Sequence, residues 1–173
     1  MSRISLFEVA AEEEGGFVAA WGAPDALLLR ALRDDVEFRF VAVGERASPA
    51  ASASPAAGAS PAATALYEVA CEDGTPDVSG GVVLVNPFEV PGGDDERFLT
   101  GWDAARAVLA EQQGYLGTRL HRSAEPARFR FVNMARWSSP LMFARALQRP
   151  EFAAAARAIP FPSHPALYQP AGG

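Results

Sequence analysis

The chain has 173 residues and a hydrophobic content of 49%, enough for one mid-sized globular domain or two small ones. Its formal net charge of −6 disfavours nucleic acid and anionic membranes as partners, since both attract a basic surface. A single cysteine excludes an intrachain disulfide, and the sequence has neither a secretory signal nor an apolar run of roughly 18 residues that could span a membrane. We therefore expect a cytoplasmic protein. The histidines and the cysteine lack metal-ligand spacing, so no metal site is predicted.

The sequence repeats itself in three ordered blocks. Phe7, Phe17 and Trp21 recur as Phe88, Phe98 and Trp102, at an offset of 81 (88 − 7). FRFV recurs at an offset of 91 (129 − 38), and ALY recurs at an offset of 101 (166 − 65). The preserved order predicts two homologous units, of which the first has been shortened by deletions.

The first unit, residues 1–70, is predicted as a worn copy with the order βαββαβ. Its first helix lies around 17–21, and the repeat places a strand at 25–33 (DALLLRALR), which alone would favour a helix. The alanine- and proline-rich segment 47–65 occupies the slot of the second helix, where we expect a degraded helix or a poorly ordered loop. Residues 71–81 would then link the units.

The second unit, residues 82–173, shows the same order clearly. VVLVNPFEV is a predicted strand, and the acidic residues 94–96 begin a helix that Gly114 ends. YLGTRLHRS and RFRFVNMARW predict a hairpin, and ALYQP predicts the last strand. Ser139 and Pro140 begin a second helix, which Pro150 interrupts. This order is that of a ferredoxin-like α+β unit.

Side-chain alternation predicts how the two units pair. In the strand 128–137 one face carries a mostly apolar set: Phe129, Phe131, Asn133, Ala135 and Trp137. The strand 82–90 is apolar on both faces, and such a sheet must be covered on both. We therefore predict an α+β fold in which two ferredoxin-like units pack as a pseudo-dimer within one chain. The sequence leaves further association into a homo-oligomer open.

The frame NPFEV…F…GW…GYLGTRLHRS…FRFVNMARWSSP…PEF…HPALY resembles the antibiotic biosynthesis monooxygenase family. The resemblance covers nearly all of residues 82–170 and implies the dimeric α+β barrel of that family. The family includes cofactor-independent oxygenases that turn polyketide anthrones into anthraquinones with O2. In those enzymes two asparagines and a tryptophan lie in a pocket between sheet and helices. The residues that match them here are Asn86, Asn133 and Trp137. The resemblance implies that these residues are catalytic and that the reaction needs no cofactor.

The residues themselves suit that chemistry. Asn133 and Trp137 share a strand face roughly 13 Å apart, which fits a flat polycyclic ligand. Amide and indole N–H groups would stabilise the oxyanion of a phenol or anthrone that then reduces O2. The first unit carries Ser5, Ala42 and Arg46 at the three positions, so we predict one site per chain, in the second unit.

Further side chains are predicted to bind the substrate, namely Phe88, Phe98, Trp102, His121, Phe143, Arg157 and Phe161. Among them His121 is the candidate general base, because its intrinsic pKa lies near neutrality. The plainer interpretation is that Asn133 satisfies a backbone group and that the aromatic residues and histidines are structural. A polyketide cyclase and a non-catalytic partner of a biosynthetic complex remain alternatives. Haem degradation is disfavoured, since residues 140–158 contain no histidine to bind iron.

Overall fold

The structure, a computed structural model, describes residues 1–21, 26–45, 60–76 and 79–171. Its eight strands form a closed barrel in the order β1-β3-β2-β8-β5-β7-β6-β4, and all neighbouring strands are antiparallel. The strands are β1 Ser2–Phe7, β2 Ala26–Ala31, β3 Phe40–Glu45, β4 Ala63–Gly74, β5 Val82–Phe88, β6 Tyr115–Ser123, β7 Phe131–Trp137 and β8 Ala166–Pro170.

Four α-helices occur in the described part of the chain: α1 Glu14–Ala20, α2 Asp95–Ala110, α3 Pro140–Leu147 and α4 Pro150–Ala156. The first unit's helix has 7 residues and its counterpart α2 has 16, which confirms the predicted shortening. Ser139 caps α3 by accepting a hydrogen bond from the Met142 N–H at 3.3 Å, and Pro150 begins a separate helix, as predicted. None of these helices is long and apolar enough to cross a membrane.

The two units close the barrel together. Each contributes a four-stranded sheet, β4-β1-β3-β2 or β8-β5-β7-β6, and the sheets meet where β2 pairs with β8 and β4 pairs with β6. The predicted α+β pseudo-dimer of ferredoxin-like units is thus confirmed. The strand predicted within DALLLRALR is also confirmed, as β2.

Two predicted segments differ from the structure or lie partly outside it. The linker predicted at 71–81 begins later, because β4 continues to Gly74 and pairs with β6 over this stretch. Of the segment 47–65, residues 47–59 lie outside the described residues, and Ala63 already begins β4.

Alternating side chains divide the core into layers. The barrel interior is one buried apolar cluster that draws on both units, including Leu6, Val41, Val85 and Val132. Outside the barrel, α2, α3 and α4 cover the second unit's sheet. The predicted shared face of β7 holds from Phe131 to Trp137, but it is wrong for Phe129. This residue precedes the strand and packs inside the barrel, 5.6 Å from the ring of Phe38.

Two tyrosines tie the units across the barrel. Tyr67 Oη donates to the Phe129 carbonyl at 3.0 Å, and Tyr168 Oη donates to the Phe38 carbonyl at 2.7 Å. Burial raises the pKa of both hydroxyls, so they remain protonated donors. Tyr67 and Tyr168 are equivalent in the repeat, and so are Phe38 and Phe129. The same contact therefore occurs twice, once from each unit to the other.

Candidate active site

A cavity of about 290 Å³ lies between the second unit's sheet and its covering helices. The lining residues from the sheet are Leu84, Asn86, Phe88, Tyr115, Thr118, Asn133 and Ala135. Those from α2, α3, α4 and the following segment are Trp102, Ala105, Arg106, Leu109, Phe143, Leu147, Phe152, Ala156, Ile159, Ser163 and Pro165. A mostly apolar wall with a few polar groups is typical of a small-molecule site.

The two predicted asparagines lie side by side on the cavity floor. Asn86 and Asn133 are direct partners across β5 and β7, which places their Cβ atoms about 5 Å apart. Thr118 Oγ1 donates a hydrogen bond to Asn133 Oδ1 at 2.7 Å, and Thr118 is itself buried. Because Asn133 Oδ1 already accepts this hydrogen bond, Asn133 can offer its N–H groups to a ligand. Thr118 therefore orients Asn133 as a donor.

Asn86 presents the complementary group. Its Oδ1 atom is buried and has no hydrogen-bond partner among the described residues. A buried carbonyl oxygen left unpaired costs about 1–3 kcal/mol, so a ligand hydroxyl that donates to it would recover stability. The cavity floor thus offers an acceptor and a donor next to each other.

Trp137 lies behind the cavity wall. It is fully buried, and its ring contacts Tyr115 and Phe143 edge-on at centroid distances of 5.5 and 5.4 Å. Both of those residues line the cavity, whereas Trp137 does not. Its indole Nε1 is buried without a described hydrogen-bond partner. Trp137 shares the predicted strand face, and its catalytic role stays a prediction.

The predicted binding residues divide into two groups. Phe88, Trp102 and Phe143 line the cavity. Phe98 instead stacks on Phe131 at 4.3 Å and is fully buried, and Phe161 packs 6.0 Å from Phe98 in the same apolar cluster. These two residues thus lie in the apolar cluster beside the cavity and outside its lining, and their contact with substrate stays a prediction.

The two predicted polar binding residues also lie elsewhere. His121 pairs with Val132, so it faces the barrel interior, and its Nδ1 atom lies 3.2 Å from the Val132 carbonyl oxygen. Burial lowers the pKa of His121 to about 4, so the imidazole is neutral at pH 7. Its prediction as the base of the cavity is wrong because it stands on the face opposite Thr118. Arg157 is exposed at the end of α4, away from the cavity lining.

Four polar lining residues were not predicted from the sequence, namely Arg106, Tyr115, Thr118 and Ser163. Arg106 stands one turn after Trp102 on α2, a spacing that could have indicated it. Tyr115 and Thr118 are separated by an odd number of residues, which normally places two side chains on opposite strand faces. The register shifts between Tyr115 and Gly117, and this bulge brings both side chains to the cavity.

A closed barrel of two ferredoxin-like units, with a helix-covered cavity on one of them, defines a class of small α+β proteins. The sequence profile of the antibiotic biosynthesis monooxygenase family matches residues 81–158. The second unit of the chain therefore carries a domain of this family. A comparison with curated proteins gives no match.

Several solved structures resemble the chain. An anthrone oxidase-like protein has a TM-score of 0.67 at 16% identity, covering 99% of this chain and 93% of its own. A haem-degrading enzyme from Listeria monocytogenes has a TM-score of 0.56 at 16% identity, covering 96% and 98%. SnoaB, a cofactor-independent oxygenase from Streptomyces nogalater, is 29% identical over 53% of this chain and 94% of its own, with a TM-score of 0.48. The first two likenesses show that the whole chain has a known fold.

Proposed function

We propose that the chain is a cofactor-independent monooxygenase that uses O2 to oxidise a polycyclic aromatic polyketide, an anthrone or phenol, to a quinone. The observation that carries this proposal is the pair Asn86 and Asn133, set side by side in a mostly apolar cavity with aromatic walls. Family membership supports an oxidation reaction. The polyketide substrate and its place in secondary metabolism belong to the proposal.

The reaction needs only substrate, O2 and a site that favours the substrate anion. Loss of a ring-carbon proton gives an anion whose charge is delocalised onto the carbonyl oxygen. The N–H groups of Asn133 donate to this oxygen, while Asn86 Oδ1 accepts from a neighbouring phenol. The anion passes one electron to O2, and the resulting radicals combine to form a carbon–oxygen bond. After protonation, the peroxide loses water, so one oxygen atom enters the quinone and the other leaves as water.

Neutral hydrogen-bond donors suit such a step because they stabilise the anion without adding a full charge. The titratable side chains among the described lining residues are Arg106 and Tyr115, neither of which is a base at neutral pH. Burial raises the pKa of the Tyr115 hydroxyl most strongly, and the negative charge of Asp73 raises it further. The site therefore promotes ionisation by stabilising the anion, and the proton leaves to solvent.

The size and lining of the cavity favour this substrate over haem. The volume of about 290 Å³ is close to the lower limit of the ~300–1,000 Å³ range of ligand pockets. A cavity of this size suits two or three fused rings. Neither histidine of the chain lines it. His121 lies in the barrel interior, and His164 contacts Glu37 and Glu89 outside the lining.

The test is oxygen uptake with 1,8-dihydroxyanthrone by Asn133→Ala. Loss of the donor is expected to lower kcat about 100-fold or more, the usual effect of removing one oxyanion donor. The matched control is Ser5→Ala, because Ser5 and Ala42 pair in the first unit as Asn86 and Asn133 pair in the second. The control should keep wild-type activity.

Two outcomes would count against the proposal. Unchanged turnover in Asn133→Ala would refute the site. Conversion of a polyketide substrate in the absence of O2 would refute an oxygenase and identify a cyclase.

A further inference from the structure

The last strand of the first unit reaches the second unit's cavity. β4 is 12 residues long and pairs Asp73 with Thr118 of β6, so the two side chains lie on the same face of the sheet. The Asp73 carboxylate forms an ion pair with Arg106 Nη1. Arg106 is the charged residue of the described cavity lining. A side chain of one unit thus holds a cavity residue of the other.

Two carboxylates hold Arg106 unequally. Asp103, one turn earlier on α2, lies 2.9 Å from Nε and 2.8 Å from Nη2. Its side chain is 63% exposed, whereas those of Asp73 and Arg106 are 28% and 23% exposed. Exposed ion pairs contribute little and are easily exchanged, so Asp73 is the stronger constraint. These contacts leave two guanidinium N–H groups for a ligand.

A second polar group lies at the same end of the cavity. Tyr115 lines it, and its hydroxyl is buried. The charges of Asp73 and Arg106 both act on this hydroxyl, which has no hydrogen-bond partner among the described residues. Tyr115 pairs with Trp137 of β7. Trp137 follows Asn133 by four residues, which is roughly 13 Å along the strand. The cavity therefore has the carboxamides and the Arg106 group at different ends.

We infer that Asp73 is a positioning residue, which holds Arg106 where it anchors an anionic oxygen of the aromatic substrate. This inference rests on the proposed function and extends it to the substrate class. The substrate carries an ionised phenol or carboxylate remote from the edge that Asn133 contacts. The first unit, which lacks the asparagine pair, still completes the site.

The test uses alizarin, a dihydroxyanthraquinone dye whose colour reports the ionisation of its phenol. Bound to the wild-type chain, the dye should ionise at a lower pH than in water. Arg106→Gln should raise the pKa of the bound dye by about one pH unit or more, because a cation within contact distance is lost. Asp73→Asn should raise it in the same direction, because the guanidinium is no longer held at the cavity.

Asp103→Asn is the matched control, since it removes a carboxylate from the same guanidinium on the exposed side. It should leave the dye's pKa unchanged or lower it. Arg106→Lys keeps the charge and should restore part of the shift lost in Arg106→Gln. Thermal unfolding of each variant checks that the barrel is intact.

The direction of the shift decides the inference. If Asp73 acted only through its charge, Asp73→Asn would lower the pKa of the bound dye, and that result would overturn it. Equal effects of Asp73→Asn and Asp103→Asn would overturn it too. Failure of the wild-type chain to bind the dye would sink both the anchor and the proposed substrate. If the pKa of the dye shifts as expected but the chain takes up no oxygen with an anthrone, the oxygenase proposal is refuted and the anchor is not.

Discussion

The two units share the contacts that build the barrel but differ where the cavity lies. In each unit the arginine just before the third strand pairs with the acid that begins the first α-helix. The distances are 2.5 Å for Arg39–Glu14 and 2.7 Å for Arg130–Asp95. In each unit a phenylalanine of that helix also stacks on one of the third strand. The centroid distances are 4.6 Å for Phe17–Phe40 and 4.3 Å for Phe98–Phe131.

The difference appears at one cross-strand pair. β1 pairs Ser5 with Ala42 at the position where β5 pairs Asn86 with Asn133. Backbone hydrogen bonds fix the register in both units, so the side chains at this pair can change without changing the barrel. The comparison therefore separates the residues that specify the fold, which are repeated, from those that specify chemistry, which are not.

The largest expected difference between the units is in acid, because both histidines belong to the second unit. Burial lowers the pKa of His121 to about 4, so the folded chain binds this proton less readily than the unfolded chain. The stability contributed by the neutral imidazole is present above about pH 6.5 and is lost as pH falls towards 4, by about 3 kcal/mol. Urea denaturation at pH 7 and pH 4.5 measures this loss.

The matched variant is His121→Gln, which cannot take up the proton. Its stability should fall less between the two pH values than that of the wild type, by about 2–3 kcal/mol. The same pH dependence in both chains would show that His121 does not resist protonation in the folded state.

The shared arginine pairs should differ in strength. Glu14 and Arg39 have side chains that are 13% and 7% exposed, whereas Asp95 and Arg130 are 27% and 33% exposed. Glu14→Gln should cost about 2 kcal/mol, because it leaves a buried guanidinium partly unpaired. Asp95→Asn should cost about 1 kcal/mol or less. Equal losses in urea denaturation would mean that burial does not distinguish the two pairs.

The smallest expected effect tests the pseudo-symmetry itself. Tyr67→Phe and Tyr168→Phe each remove a donor from a buried carbonyl of the opposite unit. Each should cost about 1 kcal/mol, and the two costs should agree, because the contacts are equivalent. Denaturant midpoints for the pair measure both values. A clearly larger loss for one tyrosine would break the equivalence of the two inter-unit contacts.

The repeat made the fold predictable from the sequence, even where local preference opposed it. DALLLRALR favours a helix by itself, but its slot in the repeat required a strand, and β2 is that strand. The family resemblance implied that Asn86 and Asn133 share a pocket, and the structure adds that they are direct partners across β5 and β7. A pattern that is repeated, or tied to a family motif, can outweigh local propensity.

The rest depended on features that alternation does not encode. Strand periodicity does not include the bulge that brings Tyr115 to the cavity. It also does not show that β7 begins only at Phe131, which leaves Phe129 before the strand and inside the barrel. Asp73 was assigned to a linker, and only the pairing of β4 with β6 places it beside Arg106. Contacts between units require knowledge of which sheet edges meet.

Both halves of the closed barrel belong to a single polypeptide, so a substitution in one half leaves the other half unchanged. In a barrel made from two identical chains, symmetry copies every substitution into both halves. Here a substitution occurs once, so one half can lose polar groups or shorten a helix while the other keeps its pocket. Dilution also cannot separate halves that share a backbone. Turnover per molecule should therefore be the same at nanomolar and micromolar enzyme.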